Sequence, residues 1–311
     1  MPAAQDFHPF FVTADTIRLR AARFDADQPR ALCLLLNGQT EFIEKYFEVI
    51  DELRGRGICV ITFDWRGQGG SDRLLPDARK AHIEDFAAYD RDLEAVIRAA
   101  VDPSGLPKMA MAHSMGGNIL LRRLHDVPGE FAAAVFCAPM LGINFRGTPG
   151  WVVETIARTL NRKAPSCEFV WGMGTRDQMT QTFDRQIVTS DPVRYARNQA
   201  LLKANPDLRL NGPTWSWLAA AIRSIALLRR PGYAEAIAAR AILFGAGQDR
   251  VCETPAIAAF AARMPNARFV EIAGAEHEIL MERDGLRDRF WSEFDDFVGS
   301  HGRTENRSSI P

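Results

Sequence analysis

No stretch of this 311-residue chain approaches the ~18 consecutive apolar residues that a membrane-spanning helix requires. The longest candidate, residues 131–138, is ended by Pro139. The opening residues, MPAAQDFHPF, lack a basic flank followed by an apolar stretch, so no secretory leader is expected. Cysteine is scarce. The five (Cys33, Cys59, Cys137, Cys167 and Cys252) are odd in number and form no C-x-x-C pair, and three lie inside apolar runs. They read as reduced small hydrophobes in a cytoplasmic protein, rather than as a disulfide framework or zinc ligands. An excess of one charge is also missing: 38 Lys and Arg face 39 Asp and Glu, a formal net charge of −1. That balance gives no general drive toward nucleic acid or an anionic surface.

What is present is ordinary globular composition, with 47% hydrophobic and 25% charged residues. Residues 17–24 alternate apolar and polar side chains, as a half-exposed strand does. Continuous apolar runs follow at 31–36, 58–63, 108–112, 132–138, 241–245 and 268–273, the pattern of strands buried on both faces of a parallel sheet. Helical patterns at 41–56, 83–101, 116–126, 254–264 and 283–298 lie between and after them. In the last of these Leu286, Phe290, Phe294 and Phe297 form one apolar stripe. Alternation of this kind predicts an α/β fold, a mostly parallel central sheet with helices on both faces, and directs the search for chemistry to the carboxyl ends of the strands. Residues 142–235 break the rhythm and hold four of the six tryptophans, Trp151, Trp171, Trp215 and Trp217. They are expected to form a helical cap inserted into a core made of residues 1–141 and 236–299. The polar tail 300–311 is expected to be disordered.

The sharpest local signal is P-K-M-A-M-A-H-S-M-G-G-N, residues 107–118. A strand ends, Ser114 follows, and a helix opens, the setting of a nucleophile elbow. Its strained turn requires small residues two positions either side of the serine, here Ala112 and Gly116. A serine hydroxyl needs a base, and the base needs an orienting acid. Of six histidines, His277 alone lies just beyond the last apolar strand; His113 adjoins the serine but should point elsewhere, and His82 and His125 suit surface or structural roles. Asp249 follows the 241–245 strand and lies between serine and histidine in the chain. An oxyanion hole would draw one N–H from Met115 and another from the N-G-Q-T turn after residue 36, Gln39 or its neighbour Thr40. The segment F-D-W-R-G-Q-G-G-S-D, residues 63–72, is not a dinucleotide fingerprint and reads as a rigid turn with Asp64 and Arg66 paired or bonded to backbone. No metal cluster, phosphate-cradling loop or cofactor signature is found.

Taken together, N-G-Q-T-E, F-D-W-R-G-Q-G-G-S, A-H-S-M-G-G, G-Q-D-R-V and G-A-E-H-E-I-L resemble the α/β-hydrolase superfamily. The narrower likeness is to bacterial lysophospholipases and monoacylglycerol lipases, the serine aminopeptidase-like hydrolases. It covers residues 31–298 and is weakest in the cap. Asn37 stands where monoacylglycerol lipases often carry histidine, and Ala112 replaces the usual glycine. The resemblance implies Ser114 as nucleophile, Asp249 as acid, His277 as base, and Gln39 with Met115 as the oxyanion hole. It implies a carboxyl-ester hydrolase working through an acyl-enzyme without a cofactor, on a lysophospholipid or monoacylglycerol. The apolar cap, with its four tryptophans as candidate substrate contacts, suits an acyl chain. Its arginines (Arg146, Arg158, Arg162, Arg176, Arg185, Arg194 and Arg197) are in part candidates for a phosphate headgroup, and peripheral contact of the cap with the inner membrane is the alternative to a purely cytoplasmic location. Rival readings are an aminopeptidase or another amide or C–C hydrolase with the same triad, and a non-catalytic ligand-binding relative.

Overall fold

The computed structural model describes residues 2–100, 105–145, 147–148, 150–161, 164–174 and 180–299; the tail 300–311 lies outside them. Eight strands form one sheet: β1 (Phe10–Ala14), β2 (Ile17–Phe24), β3 (Ala31–Leu36), β4 (Ile58–Phe63), β5 (Lys108–His113), β6 (Ala133–Cys137), β7 (Ala241–Ala246) and β8 (Ala267–Ile272). Their spatial order is β1-β2-β4-β3-β5-β6-β7-β8. Only β2 runs against the rest; β4, β3, β5, β6, β7 and β8 pair parallel throughout.

The alternation of side chains across each strand builds two cores. Leu32, Leu34 and Leu36 of β3 join Cys59, Ile61 and Phe63 of β4 on one face, with the helices Ala87–Ala100 and Ser114–Asp126. Cys33 and Leu35, with Ile58 and Val60, point to the other, where Phe47–Gly55 and Asp284–Gly299 pack. Phe290, Phe294 and Phe297 are buried on that second face and Leu286 is half-buried against it, the stripe expected of the last helix. All five cysteines are free thiols, four of them buried.

One strand reading needs correction. The 268–273 run is not covered on both sides: β8 is the sheet's edge, and Arg268 and Glu271 face solvent. The opposite edge, β1, is a strand that the sequence reading did not include; Val12 and Ala14 are buried in it while Phe11 and Thr13 are exposed.

Among the described residues between β6 and β7 no strand joins the main sheet. That stretch instead contains the helices Gly150–Asn161, Pro192–Ala204 and Trp215–Leu228. The second starts at Asp191, whose carboxylate accepts the N–H groups of Val193 and Arg194, with proline at the first turn. The third starts at Thr214, which accepts from the Trp217 N–H. A two-residue parallel bridge between Lys80–Ala81 and Gly212–Pro213 ties the stretch to the core.

Candidate active site

The chain turns sharply from β5 into the helix Ser114–Asp126, and Ser114 takes the turn with φ at 49°, the left-handed region that L-residues avoid. Tight packing holds it there. A Cβ added to Gly116 would lie 2.6 Å from the Asn37 carbonyl oxygen and 2.8 Å from that of Leu36, both at the end of β3. Ala112 sits inside the sheet opposite Leu36 and Phe136, fully buried, so its methyl group is absorbed by strand packing.

The ends of three strands converge here. His277, in the loop after β8, brings Nε2 to 3.0 Å from Ser114 Oγ. Its Nδ1 lies 2.8 Å from Asp249 Oδ2, in the loop after β7. The other oxygen of Asp249 accepts the N–H groups of Val251 and Cys252, each at 2.8 Å. Burial pushes the Asp249 carboxyl up, but His277 and those two N–H groups outweigh it and hold it below the usual carboxylate range. Such a chain can shuttle a proton from the hydroxyl to the imidazole while the carboxylate orients the ring.

The turn after β3 resolves which amides are free. The Gly38 N–H donates to Glu41 Oε2, and the Thr40 N–H donates to Gln68 Oε1 at 2.9 Å. Gln68 Nε2 donates back to the Gly38 carbonyl at 3.0 Å. Between two committed neighbours the Gln39 N–H is the donor left over, beside the N–H of Met115 at the helix start. The 63–72 segment is therefore more than a rigid turn. Its Trp65 and Gln68 clamp the 37–40 loop, the Trp65 indole donating to the Asn37 carbonyl at 2.9 Å. Asp64 and Arg66 pair, though not with each other: Asp64 binds Arg20 and Arg66 binds Asp92.

His113 turns away from Ser114, into a buried cluster with Glu41. His82 is bonded to Thr214 at 3.0 Å, and His125 stacks on Tyr233. The loop carrying His277 is gripped from both sides. Glu282, fully buried, accepts the Glu276 and Ser190 N–H groups, and the Glu278 N–H donates to the Val188 carbonyl at 2.7 Å.

The four tryptophans part company. Trp215 and Trp217 are buried in the core, Trp217 against Phe86, so both contribute to the packing of the stretch that carries them. Trp171 is 71% exposed and stands edge-on to Trp215; the Trp151 side chain lies outside the described residues. Of the seven arginines, Arg146, Arg162 and Arg176 also lie outside them. Arg194 and Arg197 both bind Glu48 of the core, Arg194 through two parallel hydrogen bonds of 2.9 and 2.7 Å, so these two are structural ties rather than headgroup ligands. Arg158 and Arg185 are exposed.

The family described as serine aminopeptidase, S33, matches residues 27–284. Over 322 aligned positions the chain is 30% identical to lysophospholipase L2 of Escherichia coli K12, covering 96% of this chain and 89% of that protein. It is 29% identical over 138 positions to a monoacylglycerol lipase of Mycolicibacterium smegmatis, 44% of this chain and 47% of that one. Among solved structures, a soluble variant of monoglyceride lipase from Saccharomyces cerevisiae superposes with a TM-score of 0.75 at 19% identity, over 96% of this chain and 97% of the other. At that identity the likeness concerns the fold.

Proposed function

Because the chain belongs to the serine aminopeptidase S33 family of α/β-hydrolases, we propose that it is a serine carboxyl-ester hydrolase of lysophospholipids or monoacylglycerols, with Ser114, His277 and Asp249 as its catalytic triad. The observation that carries this is the unbroken hydrogen-bonded chain Ser114–His277–Asp249, at 3.0 and 2.8 Å. The names of the full-length relative and of the lipases support a lipid ester as substrate.

In this mechanism His277 Nε2 takes the proton of Ser114 as Oγ attacks the ester carbonyl. The negative charge that builds on the carbonyl oxygen is met by the N–H groups of Met115 and Gln39. His277 then hands its proton to the leaving alcohol. Water, activated by the same imidazole, attacks the acyl-enzyme, and the fatty acid leaves as Ser114 recovers its proton. Asp249 keeps Nδ1 protonated throughout and offsets the charge that His277 gains at each step.

The segment 142–235 works as a cap over this site. A cavity of about 300 Å³ lies between Gly142–Phe145 and the helix Trp215–Leu228, its walls combining Ile143, Phe145, Ile222 and Ile225 with the charged Glu154, Arg229 and Glu253. No helix among the described residues is long and apolar enough to cross a membrane. The cap nevertheless carries 13 Lys and Arg against 7 Asp and Glu in a chain that is nearly neutral overall. It also carries the exposed Trp171, Met173 and Phe183. These features support peripheral contact with an anionic lipid surface. Sedimentation with phosphatidylglycerol vesicles, but not with phosphatidylcholine vesicles, is the expected result; equal binding to both or to neither contradicts the contact.

Substrate profiling of the purified protein beside Ser114→Ala tests the main reading. Lysophospholipid and monoacylglycerol hydrolysis that vanishes in the variant supports it. Preferential cleavage of aminoacyl anilides would instead favour a peptidase.

A further inference from the structure

We propose that His113, the residue before the nucleophile, is a positioning residue: a buried imidazolium that joins the backbone of the base His277 to the loop presenting the Gln39 N–H. This inference rests on the triad assigned above.

His113 ends β5 and is almost wholly enclosed, at 4% exposure. Its Nδ1 lies 3.1 Å from Glu41 Oε2, and its Nε2 lies 3.3 Å from the carbonyl oxygen of His277. A carbonyl oxygen accepts only. Glu41 Oε2 is also an acceptor here, since it already receives the Gly38 N–H and, at 2.6 Å, the Tyr46 hydroxyl. A neutral imidazole carries one N–H, so either tautomer would aim a bare nitrogen lone pair at an oxygen lone pair. The doubly protonated ring satisfies both contacts.

The charges around it agree. Lys45 bridges Glu41 at 2.7 Å and Glu278 at 2.6 Å, so two carboxylates surround one ammonium, and a charged His113 balances them. The remaining titratable groups facing the cluster are Tyr46 and Cys137, which burial pushes up and keeps neutral, and the His277 ring, with centroid 4.9 Å away. Burial acts against a charged His113 as well, yet the Glu41 carboxylate outweighs it and raises the imidazole above its ordinary value. Burial likewise disfavours ionised Glu41, but Lys45 and His113 together hold it well below the usual range.

One consequence follows for catalysis. Through Glu41 the ring fixes the Gly38 amide, one residue from the Gln39 donor, and through Nε2 it fixes the backbone of the base, so one group sets the spacing between proton acceptor and oxyanion site.

His113→Gln retains a neutral donor of similar reach. It is expected to lower kcat for a 4-nitrophenyl ester by about 10- to 100-fold, with KM changed less than about threefold, as loss of alignment does. A merely structural role would lower activity only in step with the folded fraction, leaving kcat per folded molecule unchanged. Nitrogen NMR of histidine-labelled wild-type protein provides a second measurement that does not depend on the variant folding. Two protonated ring nitrogens on His113 at about pH 7.5, well above the ordinary histidine value, are expected. A single N–H there, or a kcat within about threefold of wild type in a folded variant, overturns the proposal. Full activity in Ser114→Ala would instead remove the triad reading and leave the charge state of His113 standing as measured.

Discussion

One methyl group at Gly116 should harm chemistry out of proportion to stability. In Gly116→Ala the new carbon would sit 2.6 and 2.8 Å from two carbonyl oxygens of the β3 end, where ordinary contact begins at 3.4 Å. Neither oxygen belongs to a side chain that can rotate away, so the helix start and the 36–38 backbone must separate by about 0.5–1 Å, an overpacking cost of about 1–3 kcal/mol. The two parts forced apart are those that carry the two proposed oxyanion donors, Met115 on the helix and Gln39 beyond Asn37. A donor drawn off target by that much is nearly lost, and losing one such donor costs about 2.7–4 kcal/mol of transition-state stabilisation, or about 10²–10³ in kcat. Gly55→Ala is the control, since a Cβ there meets nothing within 4 Å. The assay pairs kcat on 4-nitrophenyl butyrate with thermal unfolding. The reasoning fails if Gly116→Ala keeps kcat within about threefold of wild type, or if its activity loss is fully accounted for by the unfolded fraction.

Other perturbations separate the remaining parts of the account. Asp249→Asn should lower kcat about 10⁴-fold with a small change in KM, because the amide leaves His277 in the wrong tautomer; steady-state kinetics on one ester suffices, and a loss under tenfold contradicts the acid's role. In a series of 4-nitrophenyl esters kcat/KM should climb with each added methylene, up to about 0.8 kcal/mol apiece, and a flat profile beyond about four carbons excludes an apolar acyl site. Stability should fall on acidification: Glu48 is held at about 2 against burial by Arg194, Arg197 and Arg287. Its contribution is complete above the unfolded value of about 4.5 and is lost as pH falls toward the folded one, so Glu48→Gln should flatten the acid limb of melting temperature against pH. His113 works in the opposite sense, stabilising fully below about 6.5 and losing that contribution as pH rises through its raised folded value. A thiol reagent under native conditions should modify the half-buried Cys167 first, since Cys33 is enclosed and its thiol is pushed up to about 12 by burial; rapid reaction of Cys33 or Cys137 contradicts the packing described.

The central strands were legible because burial on both faces leaves a continuous apolar run, and the bounds expected for β3 and β4 are those observed. Ser114 and Asp249 were candidates because each follows such a run and His277 because it follows the edge strand β8, and a parallel sheet brings the ends of its strands to one rim. The features that escaped depend on side chains remote in the chain. Choosing Gln39 over Thr40 depends on Gln68, 28 residues away, and the environment of His113 depends on Glu41, 72 residues away. No local pattern encodes either. The helix Pro192–Ala204 lacks a readable stripe since Leu202 is its one buried residue, but S-D-P-V at its start was a capping signal that could have been used. Trp215 and Trp217 show the limit of composition as a guide: a tryptophan in an insertion is as ready to build that insertion's core as to meet a substrate.

Reaction with a fluorophosphonate ester, followed by intact mass and peptide mapping, tests the central claim most directly. A nucleophilic serine held by His277 and Asp249 should take up one phosphonyl group, on Ser114, and Ser114→Ala should take up none. An unmodified wild-type chain, or an adduct that maps to another residue, would contradict the assignment.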